Sequence, residues 1–419
     1  MAAPVLSRDA RLLLLGVAID AFGTGLTLPF LVVYLHQVRG IPLETVGVIV
    51  AVPATVALLL LGPVGALVDS VGPRRAQMAA LVGASTGALM LSRADTVPLA
   101  FLARVFTGIG AAAFWPANQS LIADVLPSEQ RQRYFGISFA LLNAGIGVGG
   151  IVGALYVDVA RPETLAMVYR TDALTFLVPL ALLAGPLRHV GGPVAVTRTP
   201  THEAAGSYAV VVGDAVFRRV LVFVFVSTFV GYGQVEGGWT AYANTIARVS
   251  TRTIGLAFTA NTTVIVLSQL VVLRLIQGRR RCRLLALVAF LWALSWGIMG
   301  LAGLHPATPA ASVLFIASLG LFAVGETLLS PVSPAIINDV APDRLRGRYN
   351  AAAGIAFQLA AISGPAIAGV VLGASRGTAF IGMLIVGCGL LALIALSLER
   401  HLSARANGVE TWPRGGEGI

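Results

Sequence analysis

The chain is predicted to be an all-α integral membrane protein of twelve transmembrane helices in two pseudo-symmetric six-helix bundles. Three observations carry this. Hydrophobic residues make up 57% of the sequence and charged ones 11%, against roughly 25% charged in a soluble domain. Apolar runs of about 20 residues, the length that crosses a bilayer core, recur along the whole chain. The segment Ala123 to Gly136 (ADVLPSEQRQRYFG) also returns 215 residues later as Asn338 to Ala351 (NDVAPDRLRGRYNA), with six of fourteen positions identical and no gap. At the same offset Gly110, Pro116, Ile122 and Gly149 answer Gly325, Pro331, Ile337 and Gly364, so the molecule reads as two parallel halves.

The spans are placed near 11–36, 44–69, 76–93, 97–121, 133–157, 166–187, 218–247, 253–276, 284–304, 310–337, 348–374 and 378–398. The first follows Arg8 and Arg11 and runs on to about Tyr34, too long for a cleaved signal core. Residues 1–187 form the first bundle and residues 188–217, rich in Gly, Pro and Thr, a cytoplasmic linker; residues 218–399 form the second bundle and 400–419 a cytoplasmic tail. All 29 basic residues are arginine. They sit in short loops between apolar runs, with no basic helix and no interleaved aromatics, which excludes a nucleic-acid binder. With the N-terminus inside, 21 arginines fall on the cytoplasmic side and seven outside. Both termini are therefore expected in the cytoplasm, and the lysine-free composition points to a bacterial inner membrane. Cys282 and Cys388 lie in an arginine-rich loop and an apolar run, which argues against a disulfide. No metal site and no cofactor is expected, and with no lysine a phosphate-binding loop of the G-x-x-x-x-G-K type is excluded.

Charged residues inside apolar runs mark function, because ionised groups against lipid are costly. Arg104 stands in the fourth span; Asp20, Glu236 and Glu326 stand in the first, seventh and tenth. These four are the candidate proton-coupling residues. Around Glu236 the stretch GYGQVEGGWTAYAN offers Tyr232, Gln234, Trp239 and Tyr242 to a substrate, and Tyr34, Trp115 and Asn143 are further candidates. In the fifth span Gly145, Gly149 and Gly153 recur every four residues, and Gly364 and Pro365 stand in the eleventh; small residues at that spacing let helix backbones approach closely.

Between spans two and three, GPVGALVDSVGPRR (Gly62 to Arg75) resembles the signature loop of the major facilitator superfamily, G-x-x-x-D-x-x-G-x-[RK]-[RK], as Gly65, Asp69, Gly72, Arg74 and Arg75, with Pro73 in a place that is usually basic. Arg104 and Gly108 are similar to the family's fourth-span motif R-x-x-x-G. NAGIGVGGIVGAL resembles its antiporter motif G-x-x-x-G-P-x-x-G-G, with Gly150 for the proline and Ala154 for the last glycine. The resemblance covers Arg11 to about Glu399. It implies a monomeric secondary transporter working by alternating access, with a cytoplasmic gate formed by the loop and Asp124, and with Arg104 facing Asp20. Its partners are a small-molecule substrate, protons and the lipid bilayer. Proton-coupled export of a drug-like or amphipathic molecule is the leading expectation. Uptake of a sugar, nucleoside or organic anion, and a lipid-translocating or receptor-like role on the same fold, are the alternatives.

Overall fold

The structure is a computed structural model that describes residues 6–126, 128–191, 210–235, 237–276, 278–342 and 345–409. No β-strand occurs among the described residues. Helix α1 (Arg8–Thr27) passes through a tight turn at Leu28–Phe30 into a widened turn at Val33–Val38; α2 (Leu43–Val71), α3 (Pro73–Leu91), α4 (Val97–Val125) and α5 (Ser128–Tyr156) follow, and α6 (Pro162–Thr175) runs on as α7 (Leu177–Ala184). The second half comprises α8 (Ala215–Val230), the short α9 (Tyr232–Val235) and α10 (Gly238–Tyr242), then α11 (Thr251–Ile276), α12 (Arg281–Leu304), α13 (Pro309–Val340), α14 (Arg346–Gly373) and α15 (Gly377–Glu399).

Among the described residues, ten helices are long and apolar enough to cross a membrane. Of the twelve expected spans, those at α3 and α11 are not among the ten. Helix α3 opens on Pro73, Arg74 and Arg75, and α11 carries Arg252 and Arg274 among several threonines and amides.

Helix starts follow local chemistry. Ser7 accepts a hydrogen bond from the Ala10 amide, and Thr308 from Ala311. Asp214 accepts from both Val216 and Phe217 at 2.9 and 3.0 Å. Such caps satisfy amides that have no partner within their own helix. Prolines stand inside the long helices, Pro53, Pro331, Pro334 and Pro365 among them, as a membrane bundle tolerates where neighbouring groups re-satisfy the freed backbone.

Two expected spans are interrupted. The seventh, read as one run near 218–247, breaks at Gly231 and resumes as two short helices and a widened turn at Ala243–Ala247. A side chain at Gly231 would collide with the Trp292 ring and the Ser227 carbonyl. The first span ends similarly, its regular helix stopping at Thr27 just before Pro29, which cannot donate to the ladder.

Packing falls into two groups. Within the first, α1 lies on α5 and α6, and α4 on α2 and α3; within the second, α13 lies on α11 and α12, and α15 on α8 and α12. The groups meet where α2 packs on α14 and α5 on α11. At the end of the bundle away from the chain termini these contacts are backbone to backbone: a Cβ on Gly369 would stand 2.8 Å from the Leu43 carbonyl and 3.0 Å from Gly47 Cα, and one on Gly255 would stand 3.1 Å from the Gly150 carbonyl.

At the other end each half straps itself. After α7 the chain folds back so that the Gly191 carbonyl accepts from the Arg74 amide at 3.4 Å. After α15 the Asn407 carbonyl accepts from the Arg281 amide at 2.9 Å. Gly191 and Gly408 make these returns at φ 66° and 74°, backbone that glycine adopts freely.

Candidate functional site: a cavity between the two halves

A cavity of about 820 Å³ lies between the halves, walled by α1, α2, α3, α4 and α6 on one side and by α9 and α14 on the other. Most of its lining is apolar, including Leu28, Leu31, Phe176 and Phe357. Its polar groups come from both sides: Thr27, Arg104, Tyr169 and Asp172 face Tyr232 and Gln358.

Each charged group is held by its surroundings. The Arg104 guanidinium donates through Nη2 to the Val50 carbonyl at 3.4 Å and acts electrostatically on Tyr169. One turn after Tyr169, Asp172 accepts a hydrogen bond at Oδ2 from the Thr27 hydroxyl at 3.3 Å. Its other oxygen, Oδ1, is buried and finds no partner among the described residues. Across the cavity Tyr232 interacts electrostatically with Glu326, which sits behind it and accepts from Asn261 Nδ2 at 3.3 Å. Arg104, Asp172, Tyr232 and Glu326 thus form two polar poles on facing walls of an otherwise apolar chamber, a layout suited to a molecule with a large apolar body and a few polar groups.

The expected site residues are distributed unevenly around this chamber. Asp20 does not line it. Asp20 borders a separate small pocket within the first half and is electrostatically coupled to Asp172, so the expected facing of Asp20 and Arg104 gives way to an arrangement in which the two border different pockets. Helix rotation decides this: α1 turns Thr24 and Thr27 toward the cavity and Asp20 away from it. Glu236 lies outside the described residues, as does the side chain of Trp115.

Of the substrate candidates with described side chains, Tyr232 alone lines the chamber. Trp239 is fully buried, its ring 4.5 Å from Trp296 and 5.8 Å from Phe322. Tyr242 lies 6.2 Å from Phe380, and Gln234 donates to the Phe229 carbonyl at 2.8 Å. The breaks flanking α9 turn these three into the second half. Asn143 spends its amide on the Phe139 carbonyl of its own helix at 2.9 Å. Tyr34 stands behind the wall, its ring 5.0 Å from Tyr169; it donates to the Ser92 carbonyl at 3.2 Å and accepts from Arg39 at 2.8 Å, and Arg39 is ion-paired with Asp95.

The expected gate lies at the end bearing the chain termini. Gly72 takes φ 88° where α2 turns into α3, and Arg74 also donates from its side chain to the Leu183 carbonyl at 3.3 Å. Arg75 and Asp124 are exposed. Gly65 and Asp69 fall within α2, and the Asp69 side chain lies outside the described residues. In the second half the corresponding place holds a formed pair, Arg281 with Asp339 at 2.5 Å. Among the packing residues, Gly145, Gly149 and Gly153 abut α1, Gly364 abuts Gly233, and the Pro365 carbonyl meets Gly47 across the halves.

Asp172, Tyr169 and Thr27 are not singled out by the sequence, whereas Gln358, which answers Asn143 at the 215 offset, reads there as a structural amide facing the interface and lines the chamber. Asp172 carried the same signal as Asp20, an ionisable residue inside an apolar run, but stands beside Arg170 at the polar start of its span.

Comparison with known proteins agrees with this architecture. The major facilitator superfamily model matches residues 13–249 and again 238–415, one match for each half. The chain is similar to the uncharacterized MFS-type transporter YqjV of Bacillus subtilis, at 24% identity with 85% of each chain covered. It is similar to the class H tetracycline resistance protein of Pasteurella multocida at 26% identity, over 54% of this chain and 55% of that one. Among solved structures, a POT family transporter in complex with a thioalcohol-conjugated peptide superposes with a TM-score of 0.75 at 16% identity, covering 94% of this chain and 96% of the other, which establishes likeness of fold. The two matched halves, the apolar helices and the chamber between them have one explanation: this chain is a multi-pass membrane transporter that belongs to the major facilitator superfamily.

Proposed function

We propose that the protein exports a drug-like, amphipathic or cationic small molecule across the bacterial inner membrane in exchange for protons, with both chain termini in the cytoplasm. The observation that carries this reading is the chamber itself. Its walls are mainly apolar, and the carboxylates associated with it, Asp172 on one wall and Glu326 behind the other, suit a substrate that is apolar in body and cationic at one point. Similarity to a tetracycline resistance protein supports export of such a compound.

The packing supports alternating access. The halves touch closely at the end away from the termini, through Gly47, Gly369, Gly150 and Gly255, whereas Gly354 on the cavity wall has no atom within 4 Å of where a Cβ would sit. With the termini inside, this is the conformation closed to the exterior. Rocking the halves apart at Gly47 and Gly369 would expose the same chamber to the other side. Proton entry supplies work of roughly 2.3 kcal/mol per charge per 100 mV.

Everted membrane vesicles energised to an acid interior test this. Uptake of tetraphenylphosphonium or ethidium that collapses on adding nigericin is the expected result. Uptake no greater than in vesicles lacking the protein contradicts the reading.

A second reading rests on Arg104, whose guanidinium lines the chamber and is suited to a carboxylate. On that reading the protein carries an organic anion, and counterflow that ignores a pH gradient is its signature.

A further inference from the structure

Tyr34 is among the residues that the sequence offers to a substrate, yet it stands behind the chamber wall. In front of it is Tyr169 of α6, which lines the chamber and is 3% exposed. The Tyr169 hydroxyl is buried and finds no hydrogen-bond partner among the described residues. No polar contact of its own therefore fixes this ring, and packing has to. The ring that packs on it is that of Tyr34, with centroids 5.0 Å apart and planes inclined at 39°; aromatic pairs this close attract beyond the area they bury.

Tyr34 is itself held firmly. It is fully buried, donates to the Ser92 carbonyl just past α3 at 3.2 Å and accepts from Arg39 Nη2 at 2.8 Å. The Arg39 guanidinium carbon also lies 5.0 Å from its ring centroid, where the ring quadrupole attracts a cation. Arg39 gives its other terminal nitrogen, Nη1, to Asp95. The Asp95 side chain is 69% exposed and that of Arg39 21%, so the ion pair stands at the surface and Tyr34 lies beneath it. Asp95, Arg39, Tyr34 and Tyr169 thus form one line of contacts from the surface to the chamber.

The fold does not require this arrangement. In the second half Tyr242 and Arg248 flank the matching widened turn at Ala243–Ala247. There the Tyr242 ring lies 6.2 Å from Phe380, which does not line the chamber, and Arg248 is exposed and forms no ion pair among the described residues. The wall that the first-half line reaches is a polar one. Arg104 and Asp172 both line the chamber and both act electrostatically on Tyr169, so a shift of this ring moves apolar surface beside two charges of opposite sign.

We propose that Tyr34 is the positioning residue of the chamber wall: it fixes the Tyr169 ring beside Arg104 and Asp172, and the surface pair of Arg39 and Asp95 fixes Tyr34. Residues that a substrate in the chamber does not touch then set how tightly it is held. The inference rests on the reading of the chamber as the substrate site, and not on the charge of what it carries. Loosening Tyr34 leaves every lining group in place but lets Tyr169 turn, which lowers affinity without deleting a contact.

The test uses the full chain purified in detergent, with affinities for tetraphenylphosphonium and, separately, for 1-naphthoate measured by equilibrium dialysis. Tyr34→Phe and Arg39→Gln are expected to weaken binding about fivefold, the scale of one aromatic contact. Asp95→Asn is expected to weaken it about threefold, as loss of a surface ion pair allows, and Asp95→Glu to restore it. All elute as monodisperse protein. In a Tyr169→Ala background the same substitutions are expected to change affinity less than about twofold, since residues that act through one another are not additive. In proteoliposomes the loss is expected in KM, with kcat within about twofold of the parent. Unchanged affinity in both Tyr34→Phe and Arg39→Gln overturns the proposal even if both melt earlier, because the line of contacts is then structural alone. So does a loss of equal size with and without Tyr169. The reading of a cationic substrate fails separately: a parent protein that binds 1-naphthoate and not tetraphenylphosphonium removes it, while the same pattern of losses obtained with 1-naphthoate upholds the role of Tyr34. Binding of neither probe overturns both.

Discussion

Tyr232 lies on the chamber wall and interacts electrostatically with Glu326 behind it, while Asn261 holds the same carboxyl group from α11 at 3.3 Å. Whatever touches the Tyr232 ring therefore presses on a buried acid that it does not itself reach. Tyr232→Phe keeps the ring and removes the hydroxyl. Transport is expected to fall by about tenfold or more while the protein still folds. Initial rates in proteoliposomes, compared with Glu326→Gln, check this; equal rates in Tyr232→Phe and parent protein would show that the contact is structural.

The seal between the halves is a second lever. Gly47 and Gly369 bring α2 and α14 into backbone contact, and any side chain at either position meets the other helix. Gly369→Val is expected to hold the halves apart at this end. Thr24 lines the chamber, so a cysteine placed there should react at least several-fold faster with a membrane-impermeant maleimide applied to whole cells when Gly369→Val is also present. The native Cys282 and Cys388 are free and buried, which leaves the background low. An unchanged labelling rate would mean that these glycines do not seal the exterior.

The strap behind α12 makes a stability prediction. Asn407 accepts through Oδ1 from the Cys282 amide at 3.0 Å, capping the first turn of α12, and Arg281 donates to the Ala406 carbonyl at 3.1 Å. Asn407→Ala is expected to cost roughly 1 kcal/mol, the usual loss for a missing cap, seen as a lower melting temperature in detergent. Removal of residues 401–419 takes away the whole strap and should cost more. A melting temperature unchanged by both would show that the strap contributes nothing.

How much of this was legible in the sequence differs from residue to residue. Composition and run length predict apolar helices well, because a bilayer admits few other solutions. Arg104 was legible as a functional position for the same reason: a charge in an apolar run is conspicuous. What it faces was not, because facing depends on helix rotation. Asp20 and Thr27 lie on one helix, yet border different pockets. Trp239 and Tyr242 read as substrate contacts only on an unbroken seventh span; the break at Gly231 turns them into the packed interior beside Trp296 and Phe380. Asp172 was hidden by its neighbours, since Arg170 beside it makes the start of the span look like a headgroup region.

Asp172 divides the account from its rivals. It is on the chamber wall, accepts from Thr27 and is coupled to Asp20, so it links the chamber to the acid expected to carry the proton. Asp172→Asn keeps the size and the hydrogen bond from Thr27 while removing the charge. The variant is expected to bind tetraphenylphosphonium at least about tenfold more weakly by equilibrium dialysis, and a change of less than twofold would place the substrate elsewhere in the chamber.

The most direct measurement is proton movement driven by substrate. Purified protein is reconstituted into liposomes containing pyranine, and tetraphenylphosphonium is added on one side with no pH gradient and with the membrane potential clamped by valinomycin and potassium. Coupled exchange predicts a substrate-dependent change in internal pH that is absent from protein-free liposomes and is lost in both Asp20→Asn and Asp172→Asn. Transport of tetraphenylphosphonium with no accompanying proton movement in the parent protein would contradict it.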